Sequence, residues 1–443
     1  MSSDFRDHLF PLDHPRLSTF RSCDPYAYVD AVRQNALADE VVSAWTALFE
    51  NTEFKGVTTD GRPVLDLFET EGDEGADNGA AVDAALALLG LLGTDEQTRV
   101  RHPLDSRVWR AWLNPEFCLN RFGIRLEEID EKVRDQVFRL LAACLSPAGY
   151  RKVRDTMRIN GFLGELVDLP RILNEHSYNI NIFGTPSVTE PWGWNLWGHH
   201  LAVNCLMAGG RQVLTPVFFG AEPNLVDSGE HDGLSLFDEQ ERAGLAFARN
   251  LTPGQAERAV LFHQKRDPNL PAGRLHPADE LHLAGAFQDN RVIPYEGLPG
   301  VALDPSQRAA LIDLVALFLD YQPDGPRKAR MADVRRHLDE TYFCWIGGRG
   351  DEDAFYYRVQ SPVILVEFDH HAGVFLANTE PEKFHTHTVV RTPNGNDYGA
   401  EVVRRATGTP HRLQGPVQSG DFTVYGPADV GPARGTGAQP PAT

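Results

Sequence analysis

His385 and His387 lie one residue apart in the run FHTHTVVRTPNGNDYG, Phe384 to Gly399. The run reads as a strand that ends in a turn at Asn394-Gly395, a pair suited to a type I′ turn. In a strand, residues i and i+2 point to the same face. The two imidazoles therefore share a face with Val389 and Arg391, and their Cβ atoms are spaced roughly 6–7 Å apart, close enough to grip one metal ion. The preceding strand, PVILVEFDHH, places Glu367 and Asp369 on one face. If the two strands pair antiparallel with Glu367 opposite His387, then Asp369 falls opposite His385. Two imidazoles and a carboxylate match the facial triad of non-haem Fe(II) oxygenases, and equally a catalytic zinc with an open position.

His199 and His200 offer a further ligand. Read as strand residues they point to opposite faces. His200 shares its face with Ala202 and Asn204, the more polar one, so it is the better candidate, with His199 retained. Asp369 and Arg391 are the candidate catalytic groups. Asp369 or Glu367 can act as a base, and Arg391 can hold a substrate carboxylate with two hydrogen bonds. Each residue also has a plainer reading. His-x-His can be a polar strand pair, Arg391 can neutralise Glu367 or Asp369, and His370-His371 can be a polar hairpin loop. Trp192, Trp194 and Trp197 can wall a pocket or pack a core.

Other chemistries lack their motifs. The chain has no phosphate-binding GxxxxGK[ST] loop, no GxSxG and no HExxH, and no helix follows Gly347–Gly350 to make it a phosphate loop.

The elements that must position these residues are of two kinds. Helical spacing covers Asp24–Phe49, Ala80–Leu92, Asp105–Trp112, Leu126–Leu145 and Ala148–Arg158. Ser146-Pro147 supplies a cap and a first-turn proline. Alternation around Asp60-Gly61 signals a hairpin within Glu53–Glu69, and Glu71–Gly79 is an acidic loop. From Tyr178 strands dominate, with YNINIF, then two strands joined at Gly209-Gly210, and later TYFCWIGG, AFYYRVQ, PVILVEFD and FHTHTVVR. Helices over 237–250, 253–263, 304–323 and 327–339 interrupt them. The fold class is α+β: a mainly helical region over 1–175, a β-rich region with inserted helices over 176–405 that carries the site, and a Gly/Pro-rich tail over 406–443 expected to be disordered.

Bulk properties narrow the function. The 443 residues carry 62 acidic and 42 basic side chains, a formal net charge of −20. A surface this acidic argues against nucleic acid and anionic membrane as partners. The longest apolar stretch, Ala80–Gly93, is short and contains Asp83, and the N-terminus has no apolar core of a signal peptide. The five cysteines are scattered with no CxxC, as in reduced, cytoplasmic proteins.

The segments GTPS, PWGWNLWGHHLAVN, TPVFFGAEP, YFCWIGG, YYRVQSPVILVEFDH and HTHTVVRTPNGNDYG, with LSPAGYRKVRDTMRINGFLGEL before them, resemble the family catalogued as domain of unknown function 3500. The resemblance spans residues 25 to 405 and concentrates in the His-His and His-x-His segments. It implies a family and no activity. The expectation is therefore a metal-dependent enzyme on a small molecule that can bear a carboxylate, foremost an Fe(II) oxygenase. A zinc-dependent hydrolase and a metal-free binding protein are the alternatives. Oligomeric state leaves no trace in the sequence.

Overall fold

A computed structural model describes residues 4–68 and 72–415. Its centre is a mixed 13-stranded open sheet. Eight strands form the body: β1 (Tyr178–Phe183), β2 (Trp192–Gly198), β3 (Leu201–Ala208), β4 (Val217–Ala221), β5 (Tyr342–Gly347), β6 (Phe355–Gln360), β7 (Leu365–His371) and β8 (Glu382–Arg391). Their spatial order is β1-β2-β3-β4-β8-β7-β6-β5, antiparallel throughout. Two four-stranded meanders from distant parts of the chain thus meet edge to edge, last strand against last strand. Short strands extend the sheet, with parallel pairs at Arg101–His102 and Val260–Phe262.

The two faces differ in character. One is apolar: Ile180, Trp192, Trp194, Val203, Phe219, Val366, Phe368 and Val390 lie in the largest hydrophobic cluster. Helices α2 (Asn78–Leu91), α3 (Glu131–Cys144) and α4 (Pro147–Leu166) belong to that cluster, so the early helices and the later strands share one core. Ser146 caps α4, accepting from Gly149 N at 2.9 Å, and Pro147 fills its first turn. The other face mixes Phe183, Trp197, Phe218, Leu365 and Val389 with a row of buried polar groups. On it Asn181, Asn195 and Asn204 form a cross-strand ladder, Asn181 Nδ2 donating to Asn195 Oδ1 at 2.9 Å and Asn195 Nδ2 to Asn204 Oδ1 at 3.2 Å. Trp45 and Phe49 of α1 (Ala36–Asn51), Trp109, Trp112 and Leu283–Phe287 cover this face. Trp192, Trp194 and Trp197 are core residues.

Several elements depart from the sequence reading. The described residues 53–68 make no hairpin at Asp60-Gly61. Their backbone bonds go elsewhere, Thr58 N to Arg291 O at 3.2 Å and Ile293 N to Thr58 O at 2.7 Å. The apolar Val64 and Leu65 are exposed, so the alternation there marks no buried face. The helix expected over 105–112 shrinks to a 3₁₀ turn, Arg107–Arg110, while that over 148–158 extends to Leu166. His199 and His200 are the turn between β2 and β3 rather than strand residues. His370 and His371 continue β7 rather than forming a loop. Of residues 406–415, the exposed Ala406 and Thr407 finish the helix Ala400–Thr407, while His411, Leu413 and Gly415 are buried and Gly415 bridges to Ser106. The rest of the expected tail, 416–443, lies outside the described residues. No described helix is long and apolar enough to cross a membrane.

Candidate metal centre

The seam between the meanders carries the site. Strand β8 presents His385 and His387 on the polar face of the sheet, both buried. Their Nε2 atoms are 3.0 Å apart. His385 Nδ1 lies 2.7 Å from the carbonyl of Ala372. A carbonyl can only accept, so Nδ1 carries the proton and Nε2 turns a lone pair inward. On β4, Gly220 stands opposite His387. A Cβ there would come within 2.8 Å of His387 Cδ2 and 2.9 Å of His200 Cδ2, so glycine makes room for both rings.

His200 reaches the seam from its turn because it adopts the left-handed conformation, φ +61°. Two backbone bonds hold it, His200 N to Asn114 O at 3.0 Å and Gly220 N to His200 O at 2.7 Å. Its ring centroid lies 5.4 Å from that of His385 and 4.9 Å from that of His387. His199 stacks behind it at 3.8 Å, its Nδ1 tied to Asn160 Oδ1 at 2.7 Å. The structure therefore brings His200 to the centre and makes His199 its backing.

Two further imidazoles join. His371, at the end of β7, packs 3.8 Å from His387, and His282 arrives from the loop after residue 263. Each of two triads, His200/His385/His387 and His282/His371/His387, can offer three ligand atoms lying within 4.8 Å of one another. Burial, then mutual repulsion, pushes His200, His371 and His387 well below the usual imidazole range and His199 to about 3. Neutral imidazole is the metal-binding form. Burial also opposes charge on His282, but the Glu367 carboxylate beside it raises its pKa.

The carboxylates stand outside the rings. The registers are Asp369 with His387 and Glu367 with Val389, two residues from the pairing expected. A slip of two keeps every side chain on its face but changes its neighbours. Glu367, expected among the ligands, is instead saturated: it accepts from Leu283 N at 2.9 Å, Ala284 N at 2.9 Å and Tyr356 Oη at 2.6 Å, and lies 3.4 Å from His282 Nδ1. Burial resists its ionisation, yet these bonds and the nearby His282 and Arg358 hold it well below the carboxylate range. Asp369, expected as a catalytic group, accepts from Lys265 Nζ at 2.5 Å and Leu281 N at 3.1 Å. Arg391, expected to hold substrate, is fully buried. It donates to Ala284 O at 2.9 Å and Gly285 O at 2.7 Å and pairs with Asp289 at 2.7 Å and Asp397 at 3.2 Å. Glu367, Asp369 and Arg391 thus clamp the backbone of 281–285, the loop that presents His282. Four of the five N–H groups of Arg391 are taken by these bonds, and its fully buried side chain does not line the cleft that could admit a substrate.

A cleft of about 560 Å³ opens onto the centre at His200, His371 and His387. Leu37, Val41, Trp45, Pro115, Phe117 and Val374 give it an apolar wall, and Arg16 and Arg266 also line it.

Sequence reasoning missed His282 and Gly220. A lone histidine in an irregular loop carries no periodic signal, and the glycine's role appears only across the seam. His371, read as part of a hairpin loop, was missed as well, although its strand parity with Glu367 and Asp369 could have pointed to it. Comparison with curated proteins and with solved structures finds no match. The family profile described as "Protein of unknown function (DUF3500)" matches residues 74–400, which contain all five clustered imidazoles, and the chain belongs to that family.

Proposed function

We propose that this protein is a metal-dependent enzyme acting on a small, largely apolar molecule, and that its reaction consumes O₂. The observation that carries the reading is the three-imidazole set His200/His385/His387 at the base of an apolar cleft. Imidazole ligands suit iron, copper, nickel and zinc. The inward Nε2 lone pair of His385, with His387 Nε2 3.0 Å from it, fits such an ion. His200 and His387 face the cleft, which leaves room for substrate beside the ion.

Iron, Fe(II) in the resting enzyme, is the leading assignment, with imidazoles in place of the carboxylate of the facial triad. Copper suits the same donors. When bound, such an ion supplies redox chemistry with O₂. The chain's residues do the rest. Asn114 O and Gly220 N fix the His200 turn, and Ala372 O fixes the His385 tautomer. The apolar wall excludes water and orients the substrate. A carboxylate on that substrate would meet Arg16 or Arg266.

A zinc hydrolase is the second reading. It needs a free base, and the nearby carboxylates are committed: Glu367 and Asp369 to the 281–285 loop, and the cleft-lining Glu116 and Glu280 to Tyr28 Oη and Ala372 N, which favours the oxidative reading. Protein prepared anaerobically and loaded with Fe(II) or Cu(II) is expected to consume O₂ with apolar acids in a substrate screen. Equal turnover with zinc under strict anaerobiosis would replace oxygenase with hydrolase.

A further inference from the structure

We propose that the centre holds two metal ions, with His387 shared between them, the second ion bound by His282, His371 and His387. This rests on the metal-centre reading above and extends it.

The first observation is the sharing itself. His387 belongs to both triads, and no other residue does. An imidazole has two ring nitrogens and can serve two ions at once, giving up its remaining ring proton to solvent when both are bound. Its Nε2 faces His385 Nε2 at 3.0 Å. Its Nδ1 is buried and has no hydrogen-bond partner among the described residues.

The second observation is a set of orphaned nitrogens. His282 Nε2 and His387 Nδ1 are both buried without a hydrogen-bond partner, and His371 Nε2 has only Asp369 Oδ2 near it, at 3.2 Å. Two members of the second triad therefore carry an unsatisfied polar atom, and all three residues are at most 3% exposed. A buried unsatisfied nitrogen is costly, roughly 1–3 kcal/mol each. Two in one cluster are accounted for by an ion that accepts their lone pairs.

The third observation is the placing of the carboxylates. Metal-bound histidines commonly have a carboxylate on their outer side. Here Glu222 lies 3.9 Å from His385 Nδ1, Glu367 3.4 Å from His282 Nδ1 and Asp369 3.2 Å from His371 Nε2, so His371 would offer an ion its Nδ1. All three carboxylates are fully buried. One stands beside the first triad and two beside the second, and of these Glu222 and Glu367 are not paired with Lys or Arg among the described residues, whereas Asp369 is paired with Lys265. Glu222 is itself fixed by Val374 N at 2.8 Å and Leu376 N at 3.0 Å.

The probe is Zn(II) alone, titrated into metal-free full-length protein, with bound metal measured by elemental analysis. Wild type is expected to bind two ions per chain, His282→Ala and His200→Ala one each, and His387→Ala none tightly. Loaded with Cu(II), wild type is expected to give an integrated EPR signal well below its copper content, because the two spins couple through the shared ring. His282→Ala should restore the full signal of one isolated ion. If wild type saturates at one ion that His282→Ala retains, the second site is overturned while the first stands. If wild type binds none, the metal reading itself falls. Should His282→Ala not fold, Glu367→Gln serves in its place, with a 10–100-fold weaker second ion and an unchanged first expected. Unchanged affinity for both would overturn the proposal.

Discussion

Glu367 Oε2 lies 3.4 Å from His282 Nδ1, and the same carboxylate accepts the N–H groups of Leu283 and Ala284. One strand side chain thus orients both a ring and the loop that delivers it. Replacing it by glutamine keeps the shape and removes the charge. Glu367→Gln is expected to stay folded by far-UV circular dichroism. Its His282-dependent metal affinity should fall about 10–100-fold, read by competition with a chromogenic chelator.

Gly220 is the gap through which two rings meet. A methyl group there would contact carbon atoms of both His387 and His200 below 3.0 Å. Gly220→Ala should displace the rings by tenths of an ångström. Metal content is expected to drop more than melting temperature does. Full metal content in the variant would show that the rings have slack the packing does not suggest.

Arg391 sits between Asp289 and Asp397 with no exposure. Asp289 is also held by Arg110 at 2.9 Å and by Tyr398 Oη at 2.8 Å. Removing the guanidinium strands buried charge. Arg391→Leu is expected to cost ~3–5 kcal/mol in denaturant unfolding. A loss below 1 kcal/mol would mean that the network is not worth what its burial implies.

His102 provides a pH test away from the metal ligands. Burial lowers its pKa to about 4, though its Nε2 bond to Asn181 Oδ1, 2.8 Å, works the other way. The folded value lies below the unfolded one of about 6.5. On acidification the unfolded chain takes the proton first, so stability falls with pH from about 6.5 to about 4. The slope from this residue is up to about 1.4 kcal/mol per pH unit. His102→Asn should be less stable at neutral pH and flatter in that window, as measured by urea unfolding at several pH values. A parallel pH dependence in the two proteins would contradict the burial argument.

The strands of the second meander could be read directly, because apolar alternation and the HTH spacing are local signals. The register was not, since it depends on how β7 bends at the irregularity between His370 and His371. His199-His200 looked like strand because the flanking residues alternate, whereas a left-handed His200 makes them a turn. Glu367, Asp369 and Arg391 were expected as metal ligand, catalytic base and substrate anchor, and all three instead bond the 281–285 loop. Their roles depended on the 281–285 loop, whose sequence carries no periodicity. The joining of β4 to β8 is a contact between residues more than 160 positions apart, and nothing local announces it.

The most direct test is metal content. Wild-type protein and the His385→Ala/His387→Ala double variant would be expressed with metal supplementation, purified anaerobically without chelators and analysed for all first-row metals. The account predicts at least one equivalent of a redox-active transition metal per wild-type chain, lost in a variant whose circular dichroism is unchanged. A double variant that keeps its metal, or a wild type that takes up none after reconstitution, would contradict it and leave five histidines serving as a buried polar network.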